Sequence, residues 1–194
     1  MMKRKLGPAV MIPLGLLWLG GVGLASRAVM DDERRAGPET VATGQWPTAS
    51  GLRLDGPTLV MVAHPKCPCT AASLDQLADV ASRVPFRGYL LFVRPDDLPT
   101  SWAHTSLWSR SSEIPGLTPI DDPGGRLADL FGGATSGQVF LYDRQGALRF
   151  SGGITPGRGV SGDSAGRDSL LAWLRNGAAQ FARTPVYGCP VASR

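Results

Sequence analysis

A chain of 194 residues, 43% hydrophobic and 19% charged, has enough apolar material for one domain with a proper core plus an extra segment, and too little charge for a disordered protein. Its net charge of +4 comes from scattered basic residues with no nucleic-acid-binding motif beside them, so DNA and RNA are poor candidates as partners. Three cysteines allow one pair and one leftover thiol, which argues against a disulfide-stapled scaffold.

Lys3, Arg4 and Lys5 open the chain, and residues 6 to 25 carry no charge, about the length needed to cross the hydrocarbon core of a bilayer. A basic start before such a run retains the N-terminus in the cytoplasm. The length favours an uncut signal anchor over residues 1–28, a single-pass transmembrane helix. The competing reading is a cleaved signal peptide with small residues around Leu24-Ala25-Ser26-Arg27-Ala28. Either one exports the rest of the chain to an oxidising compartment. Residues 29–45 are polar, with Gly and Pro, and suit a linker. The folded domain is expected over 46–177, followed by a tail, 178–194, that holds Cys189.

Thr58 to Ala63 is short, uncharged and rich in β-branched residues, the pattern of a buried strand, and Pro65 and Pro68 stop it. From Thr70 the period changes: Leu74, Leu77, Ala78 and Ala81 fall at i, i+3, i+4 and i+7, predicting a helix that ends before Pro85. Leu52 to Gly56 suits a short strand or turn. Gly88 to Arg94 is a second strand, closed by Pro95. Between residues 96 and 119 the pattern is poor, with Trp102, Leu107 and Trp108 suggesting a short helix. Pro123-Gly124-Gly125 opens another helix, with Leu127, Leu130 and Phe131 on its apolar face and Gly132-Gly133 at its end. Val139–Tyr142 and Ala147–Phe150 flank Asp143-Arg144-Gln145-Gly146, a hairpin signal. A glycine-rich stretch, 152–166, leads to a last helix over 167–176. The order predicts an α/β layered domain whose mixed sheet is covered on both faces.

Cys67 and Cys69 therefore fall on a strand-to-helix turn, at the positive end of a helix dipole. Orphan backbone N–H groups and the charge of Lys66 favour a thiolate there, and Pro68 suits a first helical turn. The spacing permits a strained, easily reduced disulfide; the bland alternatives are two ordinary buried cysteines or a permanently closed bond. In the functional reading Cys67 attacks and Cys69 resolves. Cys189 is either a third redox cysteine docked near the pair or a lone thiol. His64 is an auxiliary candidate, as base or metal ligand, or simply a hydrogen-bonded neighbour. With the three cysteines it makes a soft-ligand set for copper(I) or zinc. The loop 152–166 either lines a substrate groove or is a flexible connection; it has no Gly-Lys-Ser or Gly-Lys-Thr ending, so it is not a nucleotide loop. Trp102, Trp108 and Trp173 are expected in the core.

A cysteine pair directly after the first long strand of this order resembles the thioredoxin fold. Within that fold the chain is similar to the membrane-tethered bacterial thioredoxin-like proteins labelled RedB. The stretches that carry the likeness are His64-Pro65-Lys66-Cys67-Pro68-Cys69-Thr70, then Ser151-Gly152-Gly153-Ile154-Thr155 with Arg158-Gly159 and Gly162-Asp163, and Thr184-Pro185-Val186-Tyr187-Gly188-Cys189-Pro190. The resemblance implies a thiol–disulfide oxidoreductase on the periplasmic side of a bacterial inner membrane, acting on protein thiols and disulfides, reset by an upstream redox partner, and needing no organic cofactor or metal. Two departures stand out. The family has two residues between its cysteines; here Pro68 alone separates them, so that either Cys67 or Lys66 stands at the family's first cysteine. The family also places a cis-proline facing the pair, where this chain has Thr135-Ser136-Gly137-Gln138. Thr135, Ser136, Gly137, Gly152 and Gly153 are the expected substrate groove. Rival expectations are a copper- or zinc-binding module or metallochaperone, a thiol peroxidase, and a redox-dead binding domain.

Overall fold

The computed structural model describes residues 8–33, 35–38 and 41–191. The chain divides after Arg35 into two compact units.

The first unit is a single helix, α1 (Pro8–Glu33), with Pro13 inside it. Its stretch Val10–Asp31 has a mean hydropathy of 1.5 and is long and apolar enough to cross a membrane. Large apolar side chains such as Leu14, Leu17, Trp18 and Leu24 lie exposed along it. A helix with an uncovered apolar surface is poorly matched to water and well matched to lipid, where an internal proline is also tolerated. Lys3, Arg4 and Lys5 lie outside the described residues.

The second unit is built on five strands: β1 (Thr58–Ala63), β2 (Arg87–Arg94), β3 (Leu117–Pro123), β4 (Gln138–Tyr142) and β5 (Leu148–Gly153). Their order in the sheet is β3-β2-β1-β4-β5. The first three are parallel, while β4 runs antiparallel to β1 and β5 antiparallel to β4. Every residue of β1 is buried, as a strand with neighbours on both edges and cover on both faces must be. Its side chains alternate between two clusters. Leu59, Met61 and Ala63 meet Leu74, Leu77 and Val80 of α2 (Pro68–Arg83) and Leu170 and Leu171 of α5 (Ala165–Asn176). Val60 and Val62 meet Trp46, Phe140, Tyr142 and Phe131 of α4 (Arg126–Phe131) on the opposite face. Trp46 sits edge-on to Phe131 and Tyr142, with ring centroids 5.2 and 5.4 Å apart, a favoured aromatic geometry. This is the mixed, two-sided sheet expected from the sequence.

Several elements differ from expectation. α2 begins at Pro68 rather than Thr70, because Cys67 takes the N-cap and proline the first helical position. The unclear stretch before residue 120 holds a short helix, α3 (Ser106–Glu113), capped by Thr105 Oγ1, and the start of β3. β3 contains Pro119 and Pro123, tolerable because it is the edge strand. Residues 52–57 form neither strand nor helix. One register fact matters for the site. The chain entering β4 lies beside the end of β1, Gly137 N–H donating to Val62 C=O at 2.8 Å. Residues 134–136 are thereby brought to the edge where the cysteine turn emerges.

Candidate active site

The turn after β1 is tied down before the helix starts. Cys67 N–H donates to His64 C=O at 3.2 Å, and Ala71 N–H to Cys67 C=O at 3.3 Å. Thr70 Oγ1 accepts from His64 N–H at 3.2 Å and donates to His64 C=O at 2.9 Å. It also lies 2.7 Å from Ser136 Oγ. Thr70 and Ser136 are both fully buried. The segment before β4 and the helix start are thus stitched together by two hydroxyls.

Cys67 and Cys69 are buried free thiols, at 5% and 3% exposure, while Cys189 is exposed. Their three Sγ atoms all lie within 4.8 Å of one another. The Cys67 thiol is held far below its ordinary value, at about 4. The largest cause is the hydrogen bond from the Cys69 thiol. The Cys69 and Thr70 backbone N–H groups and the Ser136 hydroxyl add to it, against the opposing effect of burial. These N–H groups are orphan donors of the helix start, where negative charge is favoured, while the Cys67 side chain closes no cap hydrogen bond of its own. Cys69 is pushed in the other direction, first by the hydrogen bond to Cys67, then by burial and the Cys67 charge. Cys189 also rises, chiefly through burial and then through the charge of Cys67. One thiolate therefore sits among two thiols that keep their protons.

The tail delivers Cys189. It first follows β5, with Ser151 N–H donating to Ala182 C=O at 3.0 Å and Gly153 N–H to Pro185 C=O at 3.2 Å. It then crosses to residues 134–136. Ser136 N–H donates to Cys189 C=O and Val191 N–H to Ala134 C=O, both at 2.9 Å, and Thr135 pairs antiparallel with Pro190. At Gly188 the backbones touch: a Cβ there would lie 1.9 Å from Ser136 O, so no other residue fits without movement.

The expected groove residues fall in two places. Thr135 and Ser136 form the edge on which the tail is paired, and Ser136 alone of the five reaches Cys67. Gly137 approaches Ser73 of α2. Gly152 and Gly153 lie under residues 184–186, where added Cβ atoms would meet Thr184 Oγ1 at 2.3 Å and Pro185 O at 2.6 Å. The backbone edge is occupied by the chain's own tail. No cis peptide bond occurs among the described residues. The glycine-rich loop packs over the helix start, with Gly159 against Pro68 and its backbone hydrogen-bonded to Cys69.

His64 stands beside the three-sulfur cluster without joining it, close enough for the Cys67 charge to act on it. Its Nδ1 accepts the Lys66 N–H at 3.2 Å, its ring stands edge-on to Trp102 at 5.4 Å, and burial lowers its pKa. Trp102 is not in the core. It is half-buried at the rim, with Lys66 Nζ 4.9 Å above its ring, a cation–π contact. Trp108 and Trp173 do pack against the core. Trp102 escaped sequence reasoning because an isolated tryptophan in an aperiodic stretch has no face. Thr70 escaped because a threonine opening a helix has an ordinary capping explanation.

No protein-family model matches the chain, and no curated protein does. Solved structures do. A hypothetical protein from Sinorhizobium meliloti superposes with a TM-score of 0.56 at 18% identity, over 82% of this chain and 95% of its own. An uncharacterized conserved protein from Geobacillus kaustophilus gives 0.57 at 15% identity, over 83% and 93%. A secreted Mycobacterium tuberculosis disulfide oxidoreductase, homologous to Escherichia coli DsbE, gives 0.44 at 14%, over 75% and 97%. The first two matches establish a shared fold.

Proposed function

We propose that this thioredoxin-like domain exchanges thiols and disulfides with exported proteins, Cys67 acting as nucleophile and Cys69 as resolving thiol. The observation that carries the reading is a pair of buried free thiols at a helix start, their Sγ atoms within 4.8 Å of each other, with the Cys67 thiol held down at about 4. The thiolate, not the thiol, attacks disulfides. Cys67 Sγ attacks one sulfur of a partner's disulfide; the other sulfur leaves and takes a proton from water. Cys69 then gives up its proton and attacks Cys67 Sγ, closing Cys67–Cys69 and releasing the partner's remaining thiol. Two electrons pass from the domain to the partner, and an upstream dithiol returns them. The same steps run in reverse when the closed Cys67–Cys69 disulfide meets a partner dithiol, and stabilising the reduced form this strongly favours that direction. The exchange itself calls for no organic cofactor or metal.

The likeness to the RedB-labelled proteins rests on the three stretches quoted above, and all three reach this site, around Cys67, Gly159 and Cys189. Helix α1, as an uncut anchor, would hold the domain on the periplasmic face of a bacterial inner membrane; its length and apolar character support that placement. The test is a trap. Cys69→Ser should accumulate a mixed disulfide between Cys67 and partner proteins, and adding Cys67→Ser should remove it. A domain whose Cys67 resists both mild oxidants and alkylation sinks the reading.

A further inference from the structure

Two thiols suffice for exchange, yet the fold commits a whole segment to bringing in a third. We propose that the reduced domain also binds one copper(I) ion, held in a plane of three sulfurs by Cys67, Cys69 and Cys189.

The donor set selects the ion. The three Sγ atoms come from two segments distant in sequence and lie within 4.8 Å of one another. At a metal–sulfur bond of about 2.3 Å, sulfurs arranged trigonally stand about 4 Å apart, so the cluster needs at most a small contraction to close on an ion. All donors are soft thiolates, which favour copper(I). Structural zinc sites are almost always four-coordinate, and among the described residues no His, Asp or Glu joins this group. His64, which the sequence offers as a base, a metal ligand or simply a hydrogen-bonded neighbour, has Nδ1 engaged by the Lys66 N–H and its ring against Trp102.

The site is also built. Backbone hydrogen bonds at Cys189 C=O and Val191 N–H bracket the third cysteine, and the Gly188 approach to Ser136 leaves the tail no slack. Three thiolates around a monovalent cation leave two negative charges. The Cys69 and Thr70 N–H groups, the Ser136 hydroxyl and the Arg158 charge already act on these sulfurs and offset it. Binding would release the protons of Cys69 and Cys189, with no change in the oxidation state of metal or sulfur.

The experiment is an anaerobic titration of the reduced full-length chain with copper(I) buffered by bathocuproine disulfonate. The expected result is one ion per chain, with three sulfur neighbours by X-ray absorption. Cys189→Ser removes a ligand, so it should weaken binding by more than the roughly 10–100-fold that losing an outer partner of a ligand costs, and reduce the sulfur count to two. Gly188→Ala keeps all three sulfurs but displaces the tail, and it should weaken binding in the same direction. Failure to retain copper against the chelator overturns the proposal, as does Cys189→Ser binding as tightly as the parent chain. A chain that traps partner disulfides but holds no copper refutes only this site. One that holds copper but traps no partner refutes only the exchange.

Discussion

The sulfurs of the helix start and the sulfur of the tail meet at one point but are held there by different forces. Cys67 and Cys69 follow a strand buried at every residue and open a helix whose apolar face is in the core. Moving them means disturbing the core. Cys189 is held by backbone hydrogen bonds along an exposed segment, each contributing about 0.5–1.5 kcal/mol net. Segments of that kind open locally well below the cost of global unfolding. The pair is therefore permanent equipment, and the tail a closure that a competing strand can displace.

The largest effect separates the two regions by chemistry. Cys67→Ser should lower the rate of exchange with a model disulfide by roughly a hundredfold or more, since the nucleophile is gone; Cys189→Ser should leave exchange through Cys67 in place. Following alkylation of each cysteine against pH sharpens the contrast. The Cys67 thiol is depressed, so its rate should hold steady through neutral pH and fall only as pH drops through about 4. Cys189 is raised, so its rate should climb only in alkaline solution. The same depression has a consequence for stability. Its contribution to the reduced protein is complete above the unfolded thiol value of 9.0 and is lost as pH falls through about 4. A reduced protein equally stable at pH 7 and pH 3 would contradict the assignment.

Next in size is Gly188→Ala. The methyl group has no room beside Ser136 O, so the tail must shift, at a cost of about 1–3 kcal/mol. Cys189 should then alkylate faster while the Cys67 profile stays where it was, and a lower Tm by calorimetry would record the lost closure. If both profiles moved together, the two regions would be one unit and the comparison above would fail.

What could be read in advance follows the same division. The strand, the helix and the thiolate position are local features, written in periods of two and 3.6 residues over consecutive positions from Thr58 to Ala81. The docking of Cys189 is a backbone-to-backbone matter, and carbonyl and amide groups leave no mark on side-chain patterns. Its single trace is Gly188, a glycine beside a cysteine, whose need for close approach becomes visible only with Ser136 in place. β3 was hidden for another reason. Pro119 and Pro123 break the usual strand signature, and only its edge position explains them. Trp102 shows the limit of composition: aromatic character alone did not distinguish the core from the rim that carries Lys66 and His64.

The smallest effect tests the joint between the two regions, because Ser136 serves both. Its side chain is among the groups that hold the Cys67 thiol down, and its backbone N–H donates to Cys189 C=O at 2.9 Å. Ser136→Ala removes the first effect and keeps the backbone bond. A hydrogen bond to a charged group contributes about 1.5 kcal/mol, equivalent to roughly one pH unit. The Cys67 alkylation midpoint should therefore rise by up to about that amount, less than the rise on Cys69→Ala, which removes the largest stabilising donor. Amide hydrogen exchange at residue 136 should stay protected, since the tail remains paired. A rise in the midpoint accompanied by lost protection would mean that the hydroxyl, rather than the backbone, holds the tail, and that the thiolate and the closure answer to the same group.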